Sequence, residues 1–162
     1  MRTVFVSIGG NIEPAKHIPQ SLQHLQQHFG ELQLSNRYES KAVGFEGDNF
    51  INLVVSFSTQ ASVAEVNQLL HQIEDAEGRE RNNGKAWDSR TLDLDILLFG
   101  DLQGDVDGVL LPRPEILEHA HVLLPLCELA GQQLHVATGK TYQQLSQEAD
   151  FSDQHIWLFE PT

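Results

Sequence analysis

Phe50–Phe57 reads FINLVVSF, and after Ser62 the chain continues VAEVNQLLHQIEDAEG to Gly78. The first run is rich in β-branched and aromatic residues and predicts a strand. The second predicts a helix. Ser62 with Glu65 three residues later is a capping box. Val63, Val66, Leu69, Leu70 and Ile73 recur at helical spacing, and Gly78 follows the last turn. Leu92–Phe99 (LDLDILLF) predicts the next strand. On the N-terminal side, Thr3–Ile8 (TVFVSI) predicts a buried strand ended by Gly9-Gly10-Asn11. Pro14–Phe29 carries Ile18, Leu22, Leu25 and Phe29 at helical spacing before Gly30, and Leu32–Ala42 alternates loosely as a strand. The order is strand, helix, strand, strand, helix, strand. It implies an α+β fold with a ferredoxin-like βαββαβ core, an antiparallel sheet with helices packed on one face.

The remainder reads as C-terminal additions to that core: an acidic loop or short hairpin over Asp101–Gly108, a mostly helical Glu115–Ala130 with Pro125 marking a break, and a short helix over Thr141–Glu148. Val43–Asn49 and Glu80–Ser89 read as loops. With 162 residues and no internal repeat or linker, a single domain over 1–162 is expected. One cysteine, Cys127, excludes an intramolecular disulfide framework and a cysteine-cluster zinc site. No stretch approaches the roughly 20 apolar residues of a membrane helix, and the N-terminus lacks a signal-peptide pattern. A cytoplasmic location and no membrane partner are therefore expected.

Ten Lys and Arg against 23 Asp and Glu leave a formal charge of −13. That opposes binding to duplex nucleic acid, and with it a metal-dependent nuclease. The cations are unevenly spread. None lies between Lys41 and Arg79, and then Arg79, Arg81, Lys85 and Arg90 fall close together. Next to them stand Asp93 and Asp95, two apart on a strand, so both carboxylates leave one face while Leu92, Leu94 and Ile96 leave the other. Such a pair becomes favourable around a hard divalent cation; Mg²⁺ is the usual occupant where carboxylates and phosphates share the shell. Arginine forks match phosphate oxygens. Carboxylates beside arginines describe phosphoryl-group chemistry, although Asp93 and Asp95 alone would equally suit the polar face of an edge strand, and the arginines plain salt bridges. Trp87 and Phe45 either anchor their loops or stack on a ring. Asn52, in an apolar strand, needs partners, and its paired donor and acceptor suit a heterocycle edge or neighbouring backbone. His17, His24, His28 and His71 read as surface positions, and His119 with His121 lacks a third spaced metal ligand.

Arg90-Thr-Leu-Asp-Leu-Asp-Ile-Leu-Leu-Phe-Gly100 resembles the signature of the 6-hydroxymethyl-7,8-dihydropterin pyrophosphokinase family. Ser7-Ile8-Gly9-Gly10-Asn11, Tyr38–Gly44, Asn49–Asn52, Glu74–Arg81 and the Pro125-Leu126, Glu128–Ala130 segment resemble further family motifs. The resemblance implies pyrophosphoryl transfer from ATP to the pterin hydroxymethyl oxygen with release of AMP. It implies two Mg²⁺ ions on Asp93 and Asp95, with ATP as cosubstrate. Arg81 and Arg90 would neutralise phosphate charge as catalytic residues beside Asp93 and Asp95. Glu74, Trp87, Arg113 and His119 would join them around ATP. Ser40, Val43, Phe50, Asn52 and His121 would line the pterin pocket. A monomer acting on small-molecule substrates is expected. The chain also departs from the family pattern. Arg113 stands where a histidine is usual, His119 where an arginine is, and His121 where a phenylalanine stacks on the pterin. Gly108 and Leu110 stand where the family often offers ATP contacts, and Gly10 replaces a serine. Two readings follow: an active pyrophosphokinase, or a diverged paralogue that binds a pterin or nucleotide with lost or altered transfer.

Overall fold

The computed structural model describes residues 1–41, 48–78 and 92–159. Within them the chain forms β1 (Arg2–Gly10), α1 (Pro14–Phe29), β2 (Gln33–Leu34), β3 (Tyr38–Ser40), β4 (Phe50–Thr59), α2 (Val63–Ala76), β5 (Asp93–Phe99), β6 (Gly104–Val106) and β7 (Val109–Leu111). A 3₁₀ turn at Pro114–Leu117, α3 (Ala120–Ala130), α4 (Tyr142–Glu148) and β8 (Ile156–Leu158) complete it. The main sheet runs β5-β1-β4-β3-β8, with β2 also paired to β4. All of these pairings are antiparallel. This is the ferredoxin-like arrangement that the element order implies.

Several expectations need correction. The strand expected over Leu32–Ala42 is two short pieces, both paired to β4. Ser35 separates them: its N–H donates to the Val54 carbonyl at 2.9 Å, and its Oγ accepts the Val54 N–H at 2.9 Å. A side-chain hydroxyl thus replaces a ladder acceptor. The helix expected over Glu115–Ala130 is the 3₁₀ turn followed by α3, and Pro125 sits inside α3 without ending it. The hairpin allowed over Asp101–Gly108 forms as β6 and β7. β8 was not foreseen.

Helices cover both faces of the sheet, not one. Ile18 and Leu25 of α1 and Val63, Val66, Leu70 and Ile73 of α2 pack on Val4, Val6, Ile8, Leu53, Val55, Leu94 and Ile96. On the opposite face Val122, Leu123, Leu126 and Ala130 of α3, with Tyr142 of α4, pack on Phe5, Val54, Leu97 and Leu98. Leu97 and Leu98 share that face because β5 carries a bulge: Val6 pairs Ile96 while Phe5 pairs Leu98. Two residues then oppose one, and the alternation of side chains breaks there. Ser62 and Glu65 form the capping box of α2, and Gly78, at φ 85°, supplies the left-handed turn beyond it. His17 is buried, and its Nδ1 lies 2.9 Å from Glu77 Oε1. The surface reading of His17 fails because a partner 60 residues away satisfies it. Among the described residues no helix is long and apolar enough to cross a membrane.

Candidate functional site

The face of the sheet under α3 changes character along its length. On β1 the residues pointing to that face are Phe5, Ser7 and Gly9; on β4 they are Val54, Asn52 and Phe50; on β5 they are Leu97, Asp95 and Asp93. Phe5, Val54 and Leu97 lie beneath α3, and the small or polar Ser7, Gly9, Asn52, Asp95 and Asp93, with Phe50 beyond Asn52, extend to its N-terminal end. Cross-strand register places Asp93 opposite Gly9 and Gly9 opposite Asn52, with Asp95 opposite Ser7. Neighbouring strands stand about 4.8 Å apart, so Asp93 and Asn52 flank Gly9 at a backbone separation of roughly 10 Å. Between a carboxylate and an amide there is a floor without a side chain.

Asn52 is buried, and its Nδ2 donates to Ser40 Oγ at 2.9 Å. Its Oδ1 lies over Gly9, only 2.8 Å from where a Cβ on residue 9 would sit. The amide orientation therefore depends on residue 9 being glycine. Phe50 opens β4 on the same face, opposite Ser40. Glu128 of α3 fixes the adjoining strand. One of its carboxylate oxygens accepts the Asn36 N–H at 2.8 Å, and the other accepts the Tyr38 hydroxyl. Burial and this carboxylate push the Tyr38 phenol well above its usual range.

Asp93 and Asp95 leave the same face, as expected, and the Asp95 side chain keeps 38% of its exposure. Its carboxyl is pushed up to about 7 by desolvation first, then by the neighbouring Asp93 charge, with Arg113 pulling the other way. A cation between the two carboxylates would relieve that repulsion. Among the described residues no group of three or more His, Cys, Asp or Glu is arranged to hold a metal. Asp93 and Asp95 would thus leave coordination positions to phosphate oxygens and water, which is how Mg²⁺ is commonly held. The residues fit that ion.

β5 is an edge strand, and two side chains cap its free edge. Glu74, 1% exposed on α2, accepts the Leu94 N–H at 2.7 Å. Arg113 Nε donates to the Ile96 carbonyl at 2.7 Å, and the Arg113 N–H to the Leu97 carbonyl at 3.0 Å. Arg113 Nη2 lies 3.9 Å from Asp95 Oδ1. At the start of α3, His119 and His121 stack with ring centroids 5.0 Å apart and planes at 24°. Desolvation, then the neighbouring His119, push the His121 imidazole down to about 4 against the pull of Asp93, so it is neutral at pH 7.

The structure thus gathers Asp93, Asp95, Arg113, His119, His121, Asn52, Ser40 and Phe50 around one end of the sheet, with Glu74 behind the Asp93–Asp95 strand. Arg81, Trp87, Arg90 and Val43 lie outside the described residues, as do Arg79, Lys85 and Phe45. Sequence reasoning missed Gly9 as the floor, Ser7 beside it and the Tyr38–Glu128 clamp. The alternation Phe5, Ser7, Gly9 carried the signal for the first two: bulk falls away along one face of a strand.

A family model for 7,8-dihydro-6-hydroxymethylpterin-pyrophosphokinase matches residues 5–131. A 2-amino-4-hydroxy-6-hydroxymethyldihydropteridine pyrophosphokinase of Synechocystis is 34% identical, over 96% of this chain and 80% of its own length. The protein of the same name from Bacillus subtilis is 32% identical, over 94% of this chain and 89% of its own. Among solved structures, the wild-type HPPK-DHPS of Plasmodium falciparum matches with a TM-score of 0.68 at 14% identity. That match covers 91% of this chain, which spans 43% of the longer one. At that identity the likeness concerns the fold.

Proposed function

The chain belongs to the 7,8-dihydro-6-hydroxymethylpterin-pyrophosphokinase family, and from that premise we propose that it transfers pyrophosphate from ATP to the hydroxymethyl group of 6-hydroxymethyl-7,8-dihydropterin in folate biosynthesis. The observation that carries the reading is the row Asp93, Gly9, Asn52 on the open end of one sheet face. A flat heterocycle over Gly9 would meet the Asn52 amide with its edge and direct its hydroxymethyl arm toward Asp93. Ser40 holds the amide in place, Phe50 stands beside it on the same face, Val43 would line the same pocket, and the uncharged ring of His121 offers a stacking face.

Asp93 and Asp95 would hold Mg²⁺, two ions being implied by the family. When bound, the ions supply charge neutralisation at the triphosphate and at the reacting hydroxyl. Arg81, Arg90, Arg113 and His119 would meet phosphate oxygens, Trp87 would join them at the nucleotide, and Glu74 would hold the carboxylate strand in register behind them. In the transfer the hydroxyl oxygen bonds to the β-phosphorus as the bond from that phosphorus to the α–β bridging oxygen breaks. AMP leaves with the bridging oxygen, and the hydroxyl proton is lost to solvent. A primary alcohol is a weak nucleophile, so the residues act by positioning and by charge complementarity. The unit of function is proposed to be the single chain, a monomer in the cytoplasm, with no nucleic-acid partner.

The test is AMP formation from Mg-ATP by the purified protein, with and without the dihydropterin. Pterin-dependent AMP release, abolished in Asp95→Ala, is the expected result. One observation favours a second reading. His119 and His121 stack on each other at positions where the family has an arginine and a phenylalanine. A folded protein that binds the dihydropterin but releases no AMP would establish a diverged binder in place of a transferase.

A further inference from the structure

Arg113 is anchored more firmly than a side chain waiting for a ligand needs to be. Its N–H and its Nε are both bonded to carbonyls on the free edge of β5. Nη1 lies 3.2 Å from Glu115 Oε2. Nη2 lies 3.9 Å from Asp95 Oδ1, with the side chain as a whole 23% exposed. That distance is an ion pair without a close hydrogen bond. The guanidinium balances the Asp95 charge but does not consume its oxygens. A divalent cation on the same carboxylate would meet a fixed positive charge across it, whereas a triphosphate arriving with that cation would offer Nη2 a new acceptor.

We propose that Arg113 is the resident counter-cation of Asp95, a positioning residue that opposes binding of a free divalent metal and favours the metal–nucleotide complex. Nη2 then moves from the carboxylate to a phosphate oxygen while Nε stays on Ile96. The site so discriminates between bare metal and metal carried by the nucleotide. This rests on the reading of Asp93 and Asp95 as metal ligands.

The probe is Mn²⁺, with the unbound ion read by its electron paramagnetic resonance signal, alone and together with a non-hydrolysable ATP analogue. In Arg113→Gln, affinity for Mn²⁺ alone is expected to tighten about tenfold, roughly 1.4 kcal/mol, while affinity for the Mn–nucleotide complex weakens by a similar factor. Arg2→Gln, at the far end of β1, makes the same change in net charge and should move neither. If Arg113→Gln leaves Mn²⁺ affinity unchanged or weaker in a folded protein, the proposal is overturned. If Arg113→Gln does not fold, Glu115→Gln carries the test. With Nη1 released, the guanidinium weighs more on Asp95, and Mn²⁺ alone should bind about threefold more weakly with no loss for the Mn–nucleotide complex. Equal weakening of both would overturn the proposal. Wild-type protein that binds no Mn²⁺, even with nucleotide, would instead defeat the metal reading beneath it.

Discussion

Gly9→Ala tests the site at its floor. Residue 9 lies in regular strand without a positive φ, so alanine strains no backbone there. Its methyl group would sit 2.8 Å from Asn52 Oδ1, and the next contacts, Ile51 O at 3.7 Å and Asn52 Cγ at 3.8 Å, are ordinary. The whole cost therefore falls on one amide, which has to move by about half an ångström or turn. Turning it stretches the 2.9 Å bond to Ser40 Oγ in a buried setting. An imperfectly paired buried group costs about 1–3 kcal/mol, and replacing a strand glycine returns about 0.5–1 kcal/mol. The melting temperature should hence change by only a few degrees. Dihydropterin affinity, which on the proposed reading depends on the amide pointing correctly, should fall about 10- to 100-fold, while metal–nucleotide affinity holds because no contact of the new methyl reaches Asp93. Fluorescence titration with the dihydropterin, beside a nucleotide titration, reads both. Pterin affinity within twofold of wild type would refute the floor argument, and equal losses for both ligands would show a general disturbance of the sheet.

Glu74→Leu removes the acceptor of the Leu94 N–H and should cost about 2 kcal/mol, a fall of roughly 4–8 °C in melting temperature. Glu74→Gln, which keeps an acceptor oxygen, should recover most of that; a residue serving only as a nucleotide contact would leave both melting temperatures alone. Asp95 takes up its proton more readily when folded than its usual 3.8 allows, with the folded value near 7. The native state then binds more protons than the unfolded state between those values, so metal-free stability falls as pH rises through that window. Asp95→Asn should be more stable than wild type above pH 7, with the gap shrinking toward pH 4; a gap independent of pH in thermal melts would contradict the repulsion. His17→Ala removes the 2.9 Å partner of the buried Glu77 carboxylate and leaves it the longer 3.7 Å contact to His24; the loss should cost about 1–3 kcal/mol, measured as the shift of the urea midpoint, and an unmoved midpoint would mean the pair contributes nothing. If His119 stands at the nucleotide as proposed, His119→Arg adds a charged contact of about 1.5–3 kcal/mol, so KM for Mg-ATP should fall at least tenfold with pterin KM unchanged. A change in pterin KM alone would place His119 in the other half of the site.

Much of this was legible in the sequence, and the exceptions share a cause. The periodicities of β4 and α2 and the capping box at Ser62 are local patterns, and the structure repeats them. So is the face shared by Asp93 and Asp95, because strand alternation needs no partner to be read. What failed was settled by residues distant in sequence. Ser35 interrupts a strand because its hydroxyl reaches Val54 on the neighbouring strand. His17 is buried because Glu77 meets it from just beyond the end of α2. Arg113 and Glu74 cap the edge of β5 from two separate segments, and no spacing rule connects 74, 94, 96 and 113. The bulge at Leu97 had a local trace, two leucines where alternation called for one, but only pairing with β1 gives it meaning.

The same division explains where the site lies. A sheet face must be covered wherever it is apolar, and α3 covers Phe5, Val54, Leu97 and Leu98. Beyond them β1, β4 and β5 place Ser7, Gly9, Asn52, Asp95 and Asp93 on that face, none of which rewards burial under an apolar helix. The helix begins where the apolar surface begins, and His119 and His121 mark that boundary. The open end of this face is thus a consequence of the order of side-chain types along three strands. With a chain charge of −13, a triphosphate arriving there meets a repulsive field unless cations accompany it. Arg113 alone of the described arginines is fixed beside Asp95, and it is already engaged by carboxylates. Beyond the one Nη2 that Arg113 can turn to a phosphate oxygen, the charge needed to hold a nucleotide there would have to come with it, as bound metal, or from the arginine-rich segment that precedes Asp93 in the sequence.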